Sequence, residues 1–202
     1  ALITSPVSKT GFNLAGIKYK GHTHMLGDWC NTKNYMMTFL SKKMNAALST
    51  IHIPLKKVSS LITQTKLKSQ IIPLNEILKN DLGIHSPSIA VLGLNPHAGE
   101  DGLMGDEERR IIIPLIKSFK NQINIQGPIS PDAFFATSNY KIYDLVFGMY
   151  HDQVLIPFKM MNFAKGVNYT AGLPIIRTSP DHGVAYDIAW QNKADESSML
   201  QS

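Results

Sequence analysis

Solid apolar runs of strand length alternate along this chain with longer stretches in which apolar residues recur every three or four positions. Runs at 35–40, 45–53, 88–94, 145–147 and 167–170 read as strands, and the apolar start at 1–3 reads as the end of a buried strand running into a Ser-Pro turn. Between them, Leu61, Ile62, Leu67, Ile71, Ile72, Leu74, Ile77 and Leu78 give 58–82 a helical period, with a break expected at Pro73. The segment 106–119 is also helical in pattern, acid-rich at its start, and Pro114 should kink it. Shorter helices are expected within 6–21, after Gly21-His22-Thr23-His24 up to about residue 32, from Asp132, and within 181–190. Strands alternating with helices predict an α/β fold with a largely parallel sheet. The chain contains no internal repeat and no low-complexity tract.

Composition narrows the class. With 202 residues, 44% of them apolar and 17% charged, the chain has an ordinary globular balance, which excludes global disorder. No apolar run approaches the roughly 18 residues of a membrane span, and the start lacks a basic, apolar, small-residue leader pattern. The single cysteine, Cys30, excludes an internal disulfide framework and fits a reducing cytoplasm. The chain opens Ala1-Leu2-Ile3-Thr4, and a strand begun at residue 1 lacks its lead-in, so a fragment or truncated product is expected. Charge is uneven: residues 1–80 hold eleven lysines against Asp28 and Glu76, while 81–202 hold nine basic and thirteen acidic residues. The basic part suits nucleic acid or a phosphorylated metabolite, or it is a solvated lysine surface; the lysines are scattered and no aromatic residues interleave them.

The chemistry gathers where strands end. In α/β sheets ligands are met at the carboxyl ends of strands, and His52, His97 and His151 each follow a strand-like run. Three neutral imidazoles with an open fourth position would make a catalytic metal site, but no two share a helix face, so spacing alone leaves satisfied loop histidines as the alternative. Lys159, Asn168 and Arg177 are polar exceptions in an apolar neighbourhood. A buried charge needs a partner, which an anionic substrate or an ion pair supplies. The glycines of 99–105 match neither a dinucleotide fingerprint nor a P-loop and read as turns.

The segments GHTH, IHIPL, LGLNPHAGED, GPISPDAFF, MYHDQ and GVNYTAGLPIIRTSPDHG, in that order, resemble the 4-hydroxythreonine-4-phosphate dehydrogenase family of pyridoxal phosphate biosynthesis over nearly the whole chain. The resemblance implies a fold like that of the isocitrate and isopropylmalate dehydrogenases. It implies that His52, His97 and His151 hold a divalent metal, zinc foremost with magnesium or cobalt as alternatives. It places His22, Thr23, Lys159, Asn168 and Arg177 against a small phosphorylated substrate, gives Lys159 and Asp132 catalytic roles, and sets His182, Gly183 and Asp187 on the adenosine-side loop for NAD or NADP. For Asp132 a helix cap and for His182 a loop hydrogen bond are the structural alternatives.

The resemblance further implies a cytoplasmic homodimer with a shared active site, His52 and His97 from one chain and His151 from the other, and no nucleic-acid partner. Residues 1 to about 140 would form the central and dimerisation part and 141–202 part of the NAD-side domain. The implied reaction is NAD-dependent oxidation of 4-phosphooxy-L-threonine to an amino keto acid phosphate, which decarboxylates to 3-amino-2-oxopropyl phosphate. A related sugar-acid phosphate dehydrogenase and a non-catalytic remnant are the alternatives. The sequence departs from the family pattern at His24, at Val154 after His-Asp-Gln, and at Ala189-Trp190-Gln191-Asn192, where tryptophan replaces the close backbone approach that glycine allows.

Overall fold

The strands are β1 Leu2–Ile3, β2 Met36–Leu40, β3 Ala46–Leu48, β4 Ser88–Leu92, β5 Asn124–Ile129, β6 Leu145–Gly148, β7 Val167–Ala171 and β8 Arg177–Pro180. The α-helices are α1 Lys9–Leu14, α2 His22–Trp29, α3 Val58–Leu61, α4 Gln64–Asn80, α5 Ile113–Ser118, α6 Pro131–Ala136, α7 His151–Asn162 and α8 Ser197–Gln201. The structure is a computed structural model that describes residues 1–162 and 165–202. The chain packs as two compact units, Lys42–Met161 and the combination of Ala1–Ser41 with Asn162–Ser202. The part boundary expected near residue 140 falls inside the first of these.

In the unit Lys42–Met161 the strands run in the order β3-β6-β4-β5, and every neighbouring pair is parallel. Ile89 to Leu92 of β4 and Val146 and Phe147 of β6 are wholly buried, the pattern of a parallel sheet covered on both faces. Helix α4 turns Leu67, Ile71, Leu74 and Leu78 inward at helical spacing, each at most 2% exposed. Burying such a side chain contributes roughly 1.5 to 3 kcal/mol, so the stripe outweighs the backbone bond that Pro73 forfeits inside the helix. The break comes instead at Ile62 and Thr63. There Thr63 turns extended and its hydroxyl accepts from the Lys66 N–H at 3.2 Å, capping α4. Likewise Pro114 sits in the first turn of α5, where a missing N–H costs little. The irregularity in 106–119 is a π-helical turn just before it, Glu108–Ile112.

In the other unit the order is β1-β8-β7-β2, with β1 parallel to β8 and β7 antiparallel to both β8 and β2. The parallel sheet expected from the sequence thus holds for Lys42–Met161, while this unit is mixed. Helix α2 starts at His22, inside the GHTH segment, behind Gly21 at φ 151°. Leu2 and Ile3 are 38% and 54% exposed, so β1 is not the buried strand expected. The helix expected within 181–190 is only a 3-10 turn, Tyr186–Ile188, because Ala185 and Trp190 on either side adopt left-handed backbone conformations that end a helix. The strand expected over 45–53 stops at Leu48. Among the described residues no helix is long and apolar enough to cross a membrane.

Candidate active site

Parallel pairing of β3 with β6, from Ala46 opposite Val146 to Leu48 opposite Gly148, brings the segments leaving the two strands side by side. Cross-bonds hold them there: the Thr50 N–H and hydroxyl both donate to the Met149 carbonyl, at 3.2 and 2.7 Å. His52 and His151 follow from these segments, and their ring centroids lie 5.6 Å apart at 43°. His151 opens α7, and its Nδ1 lies 2.7 Å from Asp152 Oδ1. A carboxylate only accepts, so Nδ1 carries a proton; in the neutral ring this arrangement leaves the Nε2 lone pair for a cation, as in histidine ligands whose other ring nitrogen donates to a carboxylate. A cavity of about 400 Å³ opens here, lined by His52, His151, Asp152, Tyr150, Ile51 and Val58 among others.

His97 is not brought to this pair. It sits exposed on the turn after β4, at φ 52°. Among the described residues no group of three or more His, Cys, Asp or Glu could hold a metal. Within one chain His52 meets His151, because β3 and β6 are sheet neighbours although far apart in sequence. His97 instead acts on Asp132 in the first turn of α6. The Ser130 hydroxyl, which donates to Asp132 Oδ1 at 2.5 Å, is the main cause holding that carboxyl below the usual carboxylate range, with the Ala133 backbone and the charge of His97 contributing. Lys159 lies in the last turn of α7 with its side chain half-buried.

A second cluster forms in the other unit. The β7 and β8 register sets Asn168 opposite Ser179 and Tyr169 opposite Thr178, so Thr170 comes opposite Arg177. Arg177 is 4% exposed. Its Nε and Nη2 donate to Thr4 Oγ1 at 3.1 and 2.6 Å, and its Nη1 donates to Thr170 Oγ1 at 2.9 Å and, at a long 3.4 Å, to Thr23 Oγ1. No ion pair among the described residues includes it, and burial pulls its pKa below the ordinary arginine value. His22, at the start of α2, has a pKa lowered first by burial and then by the nearby Arg177 charge. Asn168 lies two residues before Thr170 and so on the same face of β7, and its Oδ1 is buried without a partner among the described residues. Four of the residues expected to bind substrate therefore lie in this unit, and Lys159 does not.

The segment expected to take a dinucleotide is exposed at His182, Gly183 and Asp187. His182 Nδ1 lies 2.9 Å from the Gly183 carbonyl, a hydrogen bond within the loop. A side chain at Gly183 would meet nothing within 4 Å, and Trp190 is fully exposed at φ 65°. Sequence reasoning passed over Thr4 and Thr170, whose hydroxyls hold Arg177, and Asp152, which fixes the His151 tautomer. Only the last had a readable signal, a carboxylate directly after the histidine.

Comparison with known proteins places these features in a family. The model for the family described as pyridoxal phosphate biosynthetic protein PdxA matches residues 1–202. The 4-hydroxythreonine-4-phosphate dehydrogenase of Desulforapulum autotrophicum is 48% identical over 202 residues, 99% of this chain and 59% of that protein. The D-threonate 4-phosphate dehydrogenase of Pectobacterium atrosepticum is 41% identical over 203 residues, 100% of this chain and 62% of that protein. The crystal structure of a 4-hydroxythreonine-4-phosphate dehydrogenase from Klebsiella pneumoniae superposes with a TM-score of 0.87 at 42% identity, covering 98% of this chain and 60% of that one. Isocitrate dehydrogenase from Methylococcus capsulatus, with a TM-score of 0.54 at 9% identity over 98% of this chain and 65% of that one, shares the fold alone. The chain thus spans about three fifths of the length of its curated relatives, 59% and 62% for the two above. Over its whole length, and with His52, His97, His151 and Arg177 in their motifs, it belongs to the PdxA family of pyridoxal phosphate biosynthetic proteins.

Proposed function

We propose that this chain carries part of a metal-dependent dehydrogenase that uses NAD, or NADP, to oxidise 4-phosphooxy-L-threonine to an amino keto acid phosphate, which then loses carbon dioxide to give 3-amino-2-oxopropyl phosphate. The observation that carries the reading is Arg177. It is a permanent cation, 4% exposed, surrounded by hydroxyls and joined by no carboxylate among the described residues. Such a charge calls for an anionic partner. A phosphorylated substrate supplies one, as the names of both relatives imply for those proteins.

The chain's residues divide the work. Arg177 has five N–H donors, and four bonds to hydroxyls leave one for a ligand oxygen. The orphaned Asn168 Oδ1 takes a hydrogen from a substrate hydroxyl or ammonium. His22, its pKa depressed, is neutral at pH 7 and both donates and accepts. Lys159 adds positive charge, and Asp132, ionised at neutral pH, accepts a proton or orients one. The donor set fits a divalent metal in part, because His52 and His151 converge and Asp152 fixes one of them. We assign the third imidazole to His97 of a second copy in a homodimer. When bound, the metal, zinc foremost with magnesium or cobalt as alternatives, stabilises negative charge developing on substrate oxygen, and the nicotinamide accepts the hydride.

The test is NADH formation by the purified chain given zinc, NAD and 4-phosphooxy-L-threonine. Turnover that disappears with a chelator and in His151→Ala is expected. Turnover of D-threonate 4-phosphate in its place selects the second reading, a sugar-acid phosphate dehydrogenase, which the 41% identity to such an enzyme favours. No turnover of either substrate with NAD or NADP, together with no binding of either phosphorylated substrate by the purified chain, overturns both.

A further inference from the structure

Glu108 is the most buried carboxylate of the described residues and has no role in the reading above. It is 2% exposed and joins no ion pair among the described residues, yet both its oxygens are used. Oε1 accepts the backbone N–H groups of Leu94 and Asn95, each at 2.7 Å, and Oε2 accepts from Asn95 Nδ2 at 2.9 Å. All three donors belong to the segment that leaves β4 and carries His97. The neighbouring Glu107 completes the arrangement, taking Asn95 Nδ2 at 2.8 Å on one oxygen and the Ser59 hydroxyl on the other. Ser59 lies in α3, whose first residue, Val58, lines the cavity beside His52.

That segment needs an external hold. His97, Ala98, Glu100 and Asp101 adopt left-handed φ values of 52°, 51°, 40° and 54°, with Gly99 at 83° between them. An L residue in this region is strained because its Cβ crowds the neighbouring carbonyl, so a run of them persists only when its surroundings over-determine it. The glycines show how closely the loop wraps the carboxylate. A Cβ on Gly99 would lie 2.7 Å from Glu108 Oε2, one on Gly93 3.3 Å from Oε1, and one on Gly105 2.3 Å from Asn95 Nδ2. The π-helical turn that starts at Glu108 changes the angular step between successive residues, and both consecutive glutamates reach Asn95. From the β6 side, the buried Gln153 donates to the Gly93 carbonyl at 2.6 Å and accepts from the Met149 N–H at 2.7 Å. The base of the loop is therefore gripped from two directions, and its tip is left to present His97.

We propose that Glu108 is a positioning residue for His97: its buried carboxylate, with Asn95 and Glu107, clamps the base of the left-handed loop so that the imidazole is held ready to ligate metal. The proposal rests on the metal reading of His97, and its test separates the two. Glu108→Gln keeps size and shape but turns an amide NH2 toward Asn95 Nδ2, donor against donor, and removes the charge that strengthens the three bonds.

Zinc affinity is measured by competition calorimetry for the parent chain, Glu108→Gln, His97→Ala and the double variant. A residue acting through His97 has nothing left to act on once His97 is gone. Glu108→Gln should weaken zinc about 10- to 100-fold in the parent, the range for outer-shell partners, and leave the His97→Ala chain unchanged. An equal loss in both backgrounds, or none in either, overturns the proposal. Amide hydrogen exchange on metal-free protein provides the second arm. Glu108→Gln should speed exchange across 94–105 and leave α4 as it was; an unchanged loop also overturns the clamp. If His97→Ala binds zinc like the parent, the metal reading falls and the exchange arm alone decides whether Glu108 holds the loop. Asn95→Ala, which leaves the helix untouched, takes the place of Glu108→Gln in both arms should the latter fail to fold.

Discussion

Among the described residues, the bonds of the buried Arg177 run to three threonine hydroxyls and none to a carboxylate. A lysine would keep the charge but could not reach Thr4 from two nitrogens and Thr170 from a third. Arg177→Lys should therefore raise the Kd for phosphorylated substrate about tenfold or more, the equivalent of one charged hydrogen bond, with little change for NAD; an equal loss for both ligands would indicate a damaged fold instead. His22 reports on the same site. Its folded pKa is depressed, first by burial and then by Arg177, so the fold favours the neutral ring. For a histidine depressed in this way, the unfolded chain binds more protons, so its contribution to stability is complete above the ordinary histidine value and is lost as pH falls through the lower folded one. An NMR titration should put the His22 midpoint below about 6.5, the unperturbed value, and added phosphate should raise it by screening Arg177. A midpoint at or above the ordinary value would show that His22 does not sit where burial and Arg177 act on it.

At the scale of elements, the fit of α7 against the end of β6 depends on Gly148. A Cβ there would lie 2.1 Å from Val154 Cγ2 and 3.0 Å from Gln153 Oε1. Val154, the departure from a small residue after His-Asp-Gln, is thus accommodated by the missing side chain opposite, and it is 0% exposed. Gly148→Ala should destabilise the protein by about 1 to 3 kcal/mol, as overpacking does, and Val154→Ala in the same chain should recover much of that loss, read from urea midpoints at unchanged slope. The same element shows what the sequence could reveal. Runs 88–94 and 145–147 were legible because both of their faces are buried, which leaves no polar alternation to misread. Strand β8 was not, because its Arg-Thr-Ser run serves Arg177 and its hydroxyl partners and not an apolar core. The break in 58–82 was misplaced because Pro73 signals more loudly than the Thr63 cap, although the buried stripe carries the helix through the proline. Placing His52, His97 and His151 after strands needed only the order of apolar runs. Which of them meet depends on sheet order, and β3 lies beside β6 across nearly a hundred residues of intervening chain.

For the whole molecule, the pairing of His52 with His151 in one chain makes the proposed dimer testable by complementation. In a two-fold dimer each of two equivalent sites would take the His52 and His151 pair from one copy and His97 from the other. Mixing His97→Ala chains with His151→Ala chains then yields heterodimers with one site carrying both lesions and one carrying neither, so zinc binding should return to one site of each heterodimer, about a quarter of all sites after random reassortment. That outcome alone does not distinguish the present pairing from a division in which His151 stands apart from the other two. The mixture of His52→Ala with His151→Ala does. If the two histidines act from one chain, every site in that heterodimer lacks one ligand and zinc binding stays as weak as in either parent; if they act from different chains, one site is intact and binding is restored. The variants must be unfolded and refolded together, and mass spectrometry must show heterodimers before zinc is titrated. Rescue by the second mixture would break the His52 and His151 pairing as a ligand set, and failure of the first, with heterodimers present, would remove the shared site altogether.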